Sequence, residues 1–286
     1  MTSHDVVAAL RRMTGQKCGH TGTLDPAAEG VLPICLGSAT KLAQIMSDSD
    51  KAYRVEIIFG AETDTQDYTG NIVKEGALEA DYADVLAAVA SFQGEYDQVP
   101  PMYSAVKLKG RKLYELAREG VEIPRHPRRV YFYSIEAMNL DIPRRGELLV
   151  RCSKGAYMRT LCEDIGRKLG ACAHMGKLLR TESGGFTLDE AFTLDKLAAE
   201  PSRALIPIEK IPALRHLPRL TVPSSWDKRL LSGGFLWASD IPGAPSLHTD
   251  ERALIYTSNG RLSAIYKAEL DETGTNLRLR PFIMLV

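Results

Sequence analysis

The sequence predicts an α+β protein in which a large sheet-and-helix domain is followed by a small all-β module. Three observations carry that expectation. In Lys51 to Phe59, residues Tyr53, Val55, Ile57 and Phe59 alternate at period two, the spacing of a strand with one buried face. From Ala156 the residues Tyr157, Leu161, Ile165 and Leu169 recur every fourth position, the spacing of an amphipathic helix, which Gly170 closes. Prolines 201, 207, 212, 218 and 223 crowd into one stretch, and beyond it come only short apolar runs separated by glycine-containing turns. Proline-rich connections mark domain boundaries, so the last ~70 residues read as a separate barrel-like module.

Taken in order, Thr2 and Asp5 form a Thr-x-x-Asp capping box ahead of Val6, Val7, Leu10 and Met13, which predicts a short helix closed at Gly15. A glycine-rich loop then leads to a buried strand near Val31 to Leu36 and a helix from about Ala39 to Met46. Asp81 to Phe92 has helical spacing, and Val130 to Leu140 with Glu147 to Ser153 read as two strands joined by the turn around Pro143 to Gly146. Beyond the prolines, Leu220 to Val222, Ala253 to Thr257, Leu262 to Ala268 and Leu277 to Leu285 read as short strands.

Composition narrows the class. The chain has 286 residues, 44% of them hydrophobic and 25% charged, as in an ordinary globular protein. Neither a basic, apolar leader nor an apolar run of the ~20 residues that cross a bilayer is present, so a cytoplasmic location without membrane partners is expected. The five cysteines are scattered and read as reduced thiols; Cys152, Cys162, Cys172 and His174 lack any C-x-x-C pair, which argues against a metal site. A formal net charge of zero hides an asymmetry. Residues 61–97 hold nine acidic residues and one lysine, whereas residues 107–129 hold eight basic residues and three acidic ones. Within Met102 to Arg118 the cations alternate with Tyr103 and Tyr114, a pattern suited either to phosphate contact plus base stacking or to a solvated face.

The segment richest in chemical information is Cys18-Gly19-His20-Thr21-Gly22-Thr23-Leu24-Asp25-Pro26. Proline confines the residue before it to extended backbone, so Asp25 is presented in one pose. Glycines at 15, 19, 22, 30 and 37 allow tight turns and close approach of a ligand to backbone. Arg159 lies in the first turn of the helix after Ala156, off the apolar stripe. A cation there opposes the helix dipole, so it calls for a specific anionic partner.

These residues carry a resemblance. Gly19 to Pro26 with Gly30-Val31-Leu32-Pro33 and Gly37-Ser38-Ala39-Thr40-Lys41, then Lys51-Ala52-Tyr53 with Gly60 to Thr65, then Pro101 to Lys107 through Arg118, and finally Ser153 to Leu161, resemble the motifs of the TruB family of bacterial tRNA pseudouridine-55 synthases, in the family's order. The match runs from residue 2 to about 187; the C-terminal module resembles the family's PUA-like RNA-binding module more loosely. The resemblance implies a pseudouridine synthase fold with a mixed, mostly antiparallel sheet in residues 1–210, a basic RNA-binding insertion at 102–129, and a PUA-type domain at 217–286. Family members begin with a strand and a Lys-Pro-x-Gly segment ahead of the residues numbered 1–5 here, so the expectation is either a start further upstream or a lost edge element.

The chemistry so implied is the isomerisation of uridine to pseudouridine in the T-loop of tRNA. The bond from ribose to N1 breaks, the uracil turns, and the link re-forms at C5, with no electrons gained or lost and therefore no cofactor. An ionised carboxylate must face the ribose or the ring, and Asp25 fits. Whether it attacks the ring, attacks the sugar or acts as a base stays open. By resemblance Arg159 pairs with Asp25, and Tyr53 stacks on the uracil and assists removal of the C5 proton. The base must first be flipped out of the RNA, and His20 would fill the vacated stack, although a hydrogen-bonded loop histidine is the plainer reading. Lys41, Tyr103, Lys107, Lys109, Arg111, Lys112, Arg118, Leu178 and Arg180 complete the expected RNA-contacting set. The implied partner is the T-arm of tRNA, met by a monomer. Two rivals stand beside it: a non-catalytic RNA-binding or tRNA-folding protein, which would be expected to lose Asp25, Tyr53 or Arg159, and a phosphotransferase, which would need a set of Mg²⁺ carboxylates.

Overall fold

The structure is a computed structural model that describes residues 1–104, 106–108, 110–121 and 123–286. It divides into two compact units: residues 1–3, 23–32 and 48–191, and residues 4–22, 33–47 and 192–286.

The first unit is built on an eight-stranded sheet. Its strands are β1 (Glu29–Gly30), β2 (Lys51–Thr63), β3 (Ile72–Gly76), β4 (Gly94–Gln98), β5 (Arg128–Asp141), β6 (Arg145–Cys152), β7 (Ala173–Ser183) and β8 (Phe186–Thr187); the helices are α1 (Tyr82–Ala90), α2 (Leu113–Arg118) and α3 (Met158–Lys168). The main path runs β8-β7-β2-β6-β5-β4, with β3 beside β2 and β1 beside β7. All of these pairs are antiparallel except β1 with β7. The mixed, mostly antiparallel α+β arrangement expected from the sequence is thus present.

The alternation in β2 does what its period demands: Val55, Ile57 and Phe59 are buried, while Arg54 faces solvent. They join Val130, Phe132 and Ile135 of β5, Leu148 and Val150 of β6, Val85 and Val89 of α1, and Leu161 and Ile165 of α3 in one core. Asp81 caps α1 by accepting from the N–H groups of Ala83 and Asp84. The strand β7 is absent from the sequence reading. It pairs with β2 through two bulges, between Met175 and Leu178 and between Arg180 and Glu182, and each bulge resets which face the following side chains take.

In the second unit, helix Ser3–Thr14 supplies residues 4–14 and ends at Gly15, whose φ of +66° closes it as expected. Strand Cys18–His20 pairs with Ile34–Leu36, a shorter strand than expected, and the helix expected near residues 39–46 is a 3₁₀ turn (Gly37–Leu42) followed by helix Ala43–Ser47. Its five-stranded sheet runs Arg219–Thr221, Arg252–Tyr256, Leu262–Leu270, Leu277–Met284, Leu236–Trp237, with a parallel first pair and antiparallel pairs thereafter. Leu220, Leu230, Leu236, Ile241, Tyr266 and Leu279 form its core, and the Tyr266 hydroxyl donates to the Gly234 carbonyl at 2.9 Å. Among the described residues no helix is long and apolar enough to cross a membrane.

Candidate active site

The loop carrying Asp25 is fastened along its length within the first unit. The Ser3 hydroxyl accepts from the Leu24 N–H at 2.8 Å, and the Ala28 N–H returns to the Asp25 carbonyl at 2.9 Å, a turn with Pro26 at its second position. Past the turn, Gly30 pairs with Arg180 of β7 and the Val31 N–H donates to the Arg180 carbonyl at 2.9 Å. Gly30 has φ +112°, and a Cβ there would lie 2.1 Å from that carbonyl oxygen, so only glycine allows this approach.

Arg180 holds the same loop from below. Its side chain is among the largest fully buried groups, at 1% exposure. Nε donates to the Val31 carbonyl at 2.8 Å and Nη1 to the Thr23 carbonyl at 3.4 Å, so one guanidinium grips both ends of the segment that presents Asp25. Expected to line the pocket and the RNA face, Arg180 lies in the interior, where it clamps the loop. Leu178 is partly buried and packs against the core.

The anionic partner that Arg159 required is Asp25. Arg159 Nε lies 3.0 Å from Asp25 Oδ2 and Nη2 donates to Oδ1 at 3.3 Å, the two-pronged geometry a guanidinium is suited to. Nη2 also donates to the Tyr103 carbonyl at 2.9 Å, and Nη1 donates to the Thr65 carbonyl at 3.2 Å and lies 4.0 Å from Asp67 Oδ2. The arginine side chain is 6% exposed and the aspartate 37%, so the acid is backed by a buried cation while part of it stays open to a substrate. Burial is the dominant influence on Asp25 and moves its carboxyl above the usual range; Arg159 pulls against that rise and Asp67 adds to it. Among the described residues no side chain caps α3. Instead Gln98, itself buried, accepts from the Tyr157 N–H at 2.7 Å and donates to its carbonyl at 3.0 Å, fixing the turn that carries Arg159.

Tyr53 stands between Val150 of β6 and Arg180 of β7 in the sheet. Burial pushes its phenol up to about 12, while a hydrogen bond to Arg180 works in the other direction. Asp25, Tyr53, Arg159 and Arg180 therefore form one electrostatically coupled group. Tyr103 joins it through its backbone carbonyl.

His20 and Lys41 belong to the second unit. His20 ends strand Cys18–His20, where its Nδ1 accepts from the Gly22 N–H at 3.3 Å; the Lys41 ammonium donates to the Val286 carbonyl at 3.4 Å. In the basic segment, Lys107–Leu108 and Arg111–Lys112 form a two-stranded hairpin followed by α2, which Arg118 ends. Arg111 is exposed and paired with Glu119, and Lys109 lies outside the described residues. The thiols of Cys152, Cys162 and Cys172 are buried, and His174 Nδ1 shares a hydrogen bond with the Ala61 carbonyl at 2.8 Å. Among the described residues no cluster of His, Cys, Asp and Glu could hold a metal ion.

Sequence reasoning missed Asp67 and Gln98. Asp67 follows the Gly60 to Thr65 block by two residues, and its signal is the Thr65, Asp67, Thr69 alternation: both threonine hydroxyls donate to Asp67 Oδ1. Gln98 carries no comparable signal, because its role arises from a contact with residue 157.

The chain is similar to known proteins along most of its length. The model of the TruB family pseudouridylate synthase N-terminal domain matches residues 11–158, and that of the tRNA pseudouridylate synthase B C-terminal domain matches residues 159–211. The chain is 50% identical over 237 residues to tRNA pseudouridine synthase B of Symbiobacterium thermophilum, covering 82% of this chain and 78% of that protein. It is 41% identical over 300 aligned positions to the Bacillus licheniformis protein of the same name, covering 100% and 94%. Among solved structures, a chain of a Cbf5-Nop10-Gar1 complex aligns with a TM-score of 0.72 at 26% identity, covering 100% of this chain and 82% of that one.

Proposed function

Since the chain belongs to the TruB family of pseudouridylate synthases, we propose that it converts a uridine of tRNA to pseudouridine, the uridine at position 55 in the T-loop, using Asp25 as the reacting carboxylate. The fold is that of the family, α+β with a C-terminal PUA-like half-barrel. The observation that carries the reading is the Arg159–Asp25 pair, a half-open carboxylate held by a buried guanidinium.

In this reading the flipped uridine enters beside Asp25, which acts as nucleophile or base while Arg159 keeps it ionised in a desolvated site. Tyr53 stacks on the uracil. As a base toward C5 it must shed a proton held near 12, and the neighbouring Arg180 cation favours the phenolate. The C5 proton is lost and N1 gains one, so atoms and charge balance without a cofactor. His20 fills the gap left by the flipped base, and Lys41, Tyr103, Lys107, Lys109, Arg111, Lys112 and Arg118 contact the T-arm. Residues 1–210 form the catalytic domain and 217–286 the RNA-binding module of a cytoplasmic monomer. The direct test is incubation with an unmodified tRNA transcript followed by pseudouridine mapping. One new pseudouridine in the T-loop is expected, and an unmodified transcript would overturn the reading.

The rate should fall on the acid side at a pH above that of an ordinary aspartate, ~3.9. The reactive form is the carboxylate, burial raises its pKa, and protonation removes it as pH drops through that raised value. Single-turnover rates against pH, on tRNA shown to stay folded, check this; an acid limb at or below the ordinary value would contradict it.

Replacing Lys107, Lys109, Arg111 and Lys112 by alanine should weaken tRNA binding and flatten its salt dependence. Each lost phosphate contact removes roughly 0.7–0.9 from the slope of log affinity against log salt. An unchanged slope would make the segment a solvated face.

A further inference from the structure

Between Thr65 and Asp67, the two residues of this turn that face Arg159, stands Gln66. Its φ of +63° is a conformation that glycine and asparagine adopt most readily. Both its backbone and its side chain are engaged. The backbone N–H donates to the Thr63 carbonyl at 3.1 Å, and its carbonyl accepts from Met175 of β7 at 3.0 Å. The side chain crosses to α3, where Oε1 accepts from the Thr160 hydroxyl at 2.9 Å and Nε2 donates to Glu163 Oε1 at 2.9 Å. A carboxylate can only accept, so the amide has one workable orientation. Glu163 also takes Arg167 Nη2 at 2.7 Å, and Arg167 reaches Glu62 of β2 at 3.2 Å.

The consequence is geometric. Thr160 adjoins Arg159 on the helix, and Thr65 and Asp67 adjoin Gln66 on the turn, so the carboxamide ties together the two backbone segments between which the guanidinium is held. We propose that Gln66 is a positioning residue for the isomerisation. Its bridge to Thr160 and Glu163 fixes the Thr65 carbonyl and the Asp67 carboxylate against Arg159, and thereby fixes Arg159 on Asp25. This inference rests on the isomerase reading. The charged groups around the amide are Glu163, Asp164 and Arg167 of α3 and Glu62 of β2, with Arg159 and Asp67 as the groups it positions.

The test measures single-turnover pseudouridine formation on an unmodified tRNA transcript, tRNA affinity and melting temperature in parallel. Gln66→Asn keeps a residue suited to the left-handed backbone but is one methylene too short to span both partners. Its rate should fall about tenfold, since a small misplacement at the reacting group is costly, with affinity within about twofold. Thr160→Val should lose a similar factor, and the double variant should be no slower than the slower single one, because both break the same bridge. Gln66→Glu sets a second carboxylate against Glu163, so its rate relative to wild type should rise as pH falls and the pair shares a proton. If Gln66→Asn lowers the melting temperature by more than about 3 °C, Gln66→Gly, which relaxes the backbone, replaces it. A rate loss at the wild-type melting temperature then supports the bridge. A wild-type rate in the folded variant, additive losses in the double variant, or a pH-independent ratio for Gln66→Glu would overturn it. A wild-type protein that forms no pseudouridine would instead overturn the isomerase reading itself.

Discussion

Asp25→Asn is expected to abolish pseudouridine formation while leaving tRNA bound. The amide is nearly isosteric and its oxygen can still accept from one Arg159 nitrogen; its NH2 then faces the other, at the place where Oδ2 lies 3.0 Å from Nε, so the pair loosens while the Ser3 and Val31 anchors still hold the loop. What is lost is the negative charge and with it the nucleophile or base of the proposed mechanism. Losses from removing such a group are on the order of 10⁴-fold or more. Affinity for tRNA should stay within about tenfold, or ~1.4 kcal/mol, because one side chain is a small part of an RNA interface. Single-turnover assays with saturating protein separate the two effects, and turnover near wild type would remove Asp25 from the mechanism.

Arg159→Met should reduce both rate and stability. Methionine roughly matches the buried stem but leaves two carboxylates, Asp25 and Asp67, and two carbonyls, Thr65 and Tyr103, without the donor they share. Removing one partner of a fully buried ion pair costs about 3–5 kcal/mol. The 37% exposure of Asp25 places this case near the lower end. The Asp25 carboxyl should climb further, because the group that opposes desolvation is gone, and the acid limb of the rate profile should move to higher pH. Arg159→Lys should fall between, keeping the charge but losing the fork that reaches Asp25 through two nitrogens. Denaturant unfolding and the pH dependence of the single-turnover rate check this. An unshifted acid limb in Arg159→Met would mean that the arginine does not govern the acid.

The parts of the fold legible in the sequence are those in which one period runs unbroken. Tyr53, Val55, Ile57 and Phe59 alternate, with Ile58 as the one apolar residue out of phase, because β2 lies inside the sheet with one face on the core, and α3 shows its stripe because Leu161 and Ile165 pack on that core. Arg159 was informative because it stood where the helix dipole disfavours a cation, and Asp25 proved to be its partner. Strand β7 escaped because two bulges interrupt its alternation. The two-residue strand Leu236–Trp237 escaped because no period can be read from so short a run. Gln98, and the clamping role of an Arg180 that the resemblance offered only as an RNA contact, were beyond reach for a different reason. A buried arginine or glutamine has no local signature when its partners lie at Val31 or Tyr157, far along the chain.

The stitching of the Asp25 loop to β7 also has a consequence for biosynthesis. The bond from Arg180 Nε to the Val31 carbonyl spans 149 positions, and among the described residues β1 pairs only with β7. The ribosome therefore makes the acid-bearing segment long before the strand that anchors it. At about 5–20 residues per second, the nascent loop waits on the order of ten seconds for β7 to emerge. Throughout that interval Asp25 has no clamp behind it, and Arg159 joins it only shortly before Arg180 does. Ribosome-bound intermediates stalled before residue 173 should hold an uncommitted loop and are expected to form no pseudouridine until most of the first unit has been made.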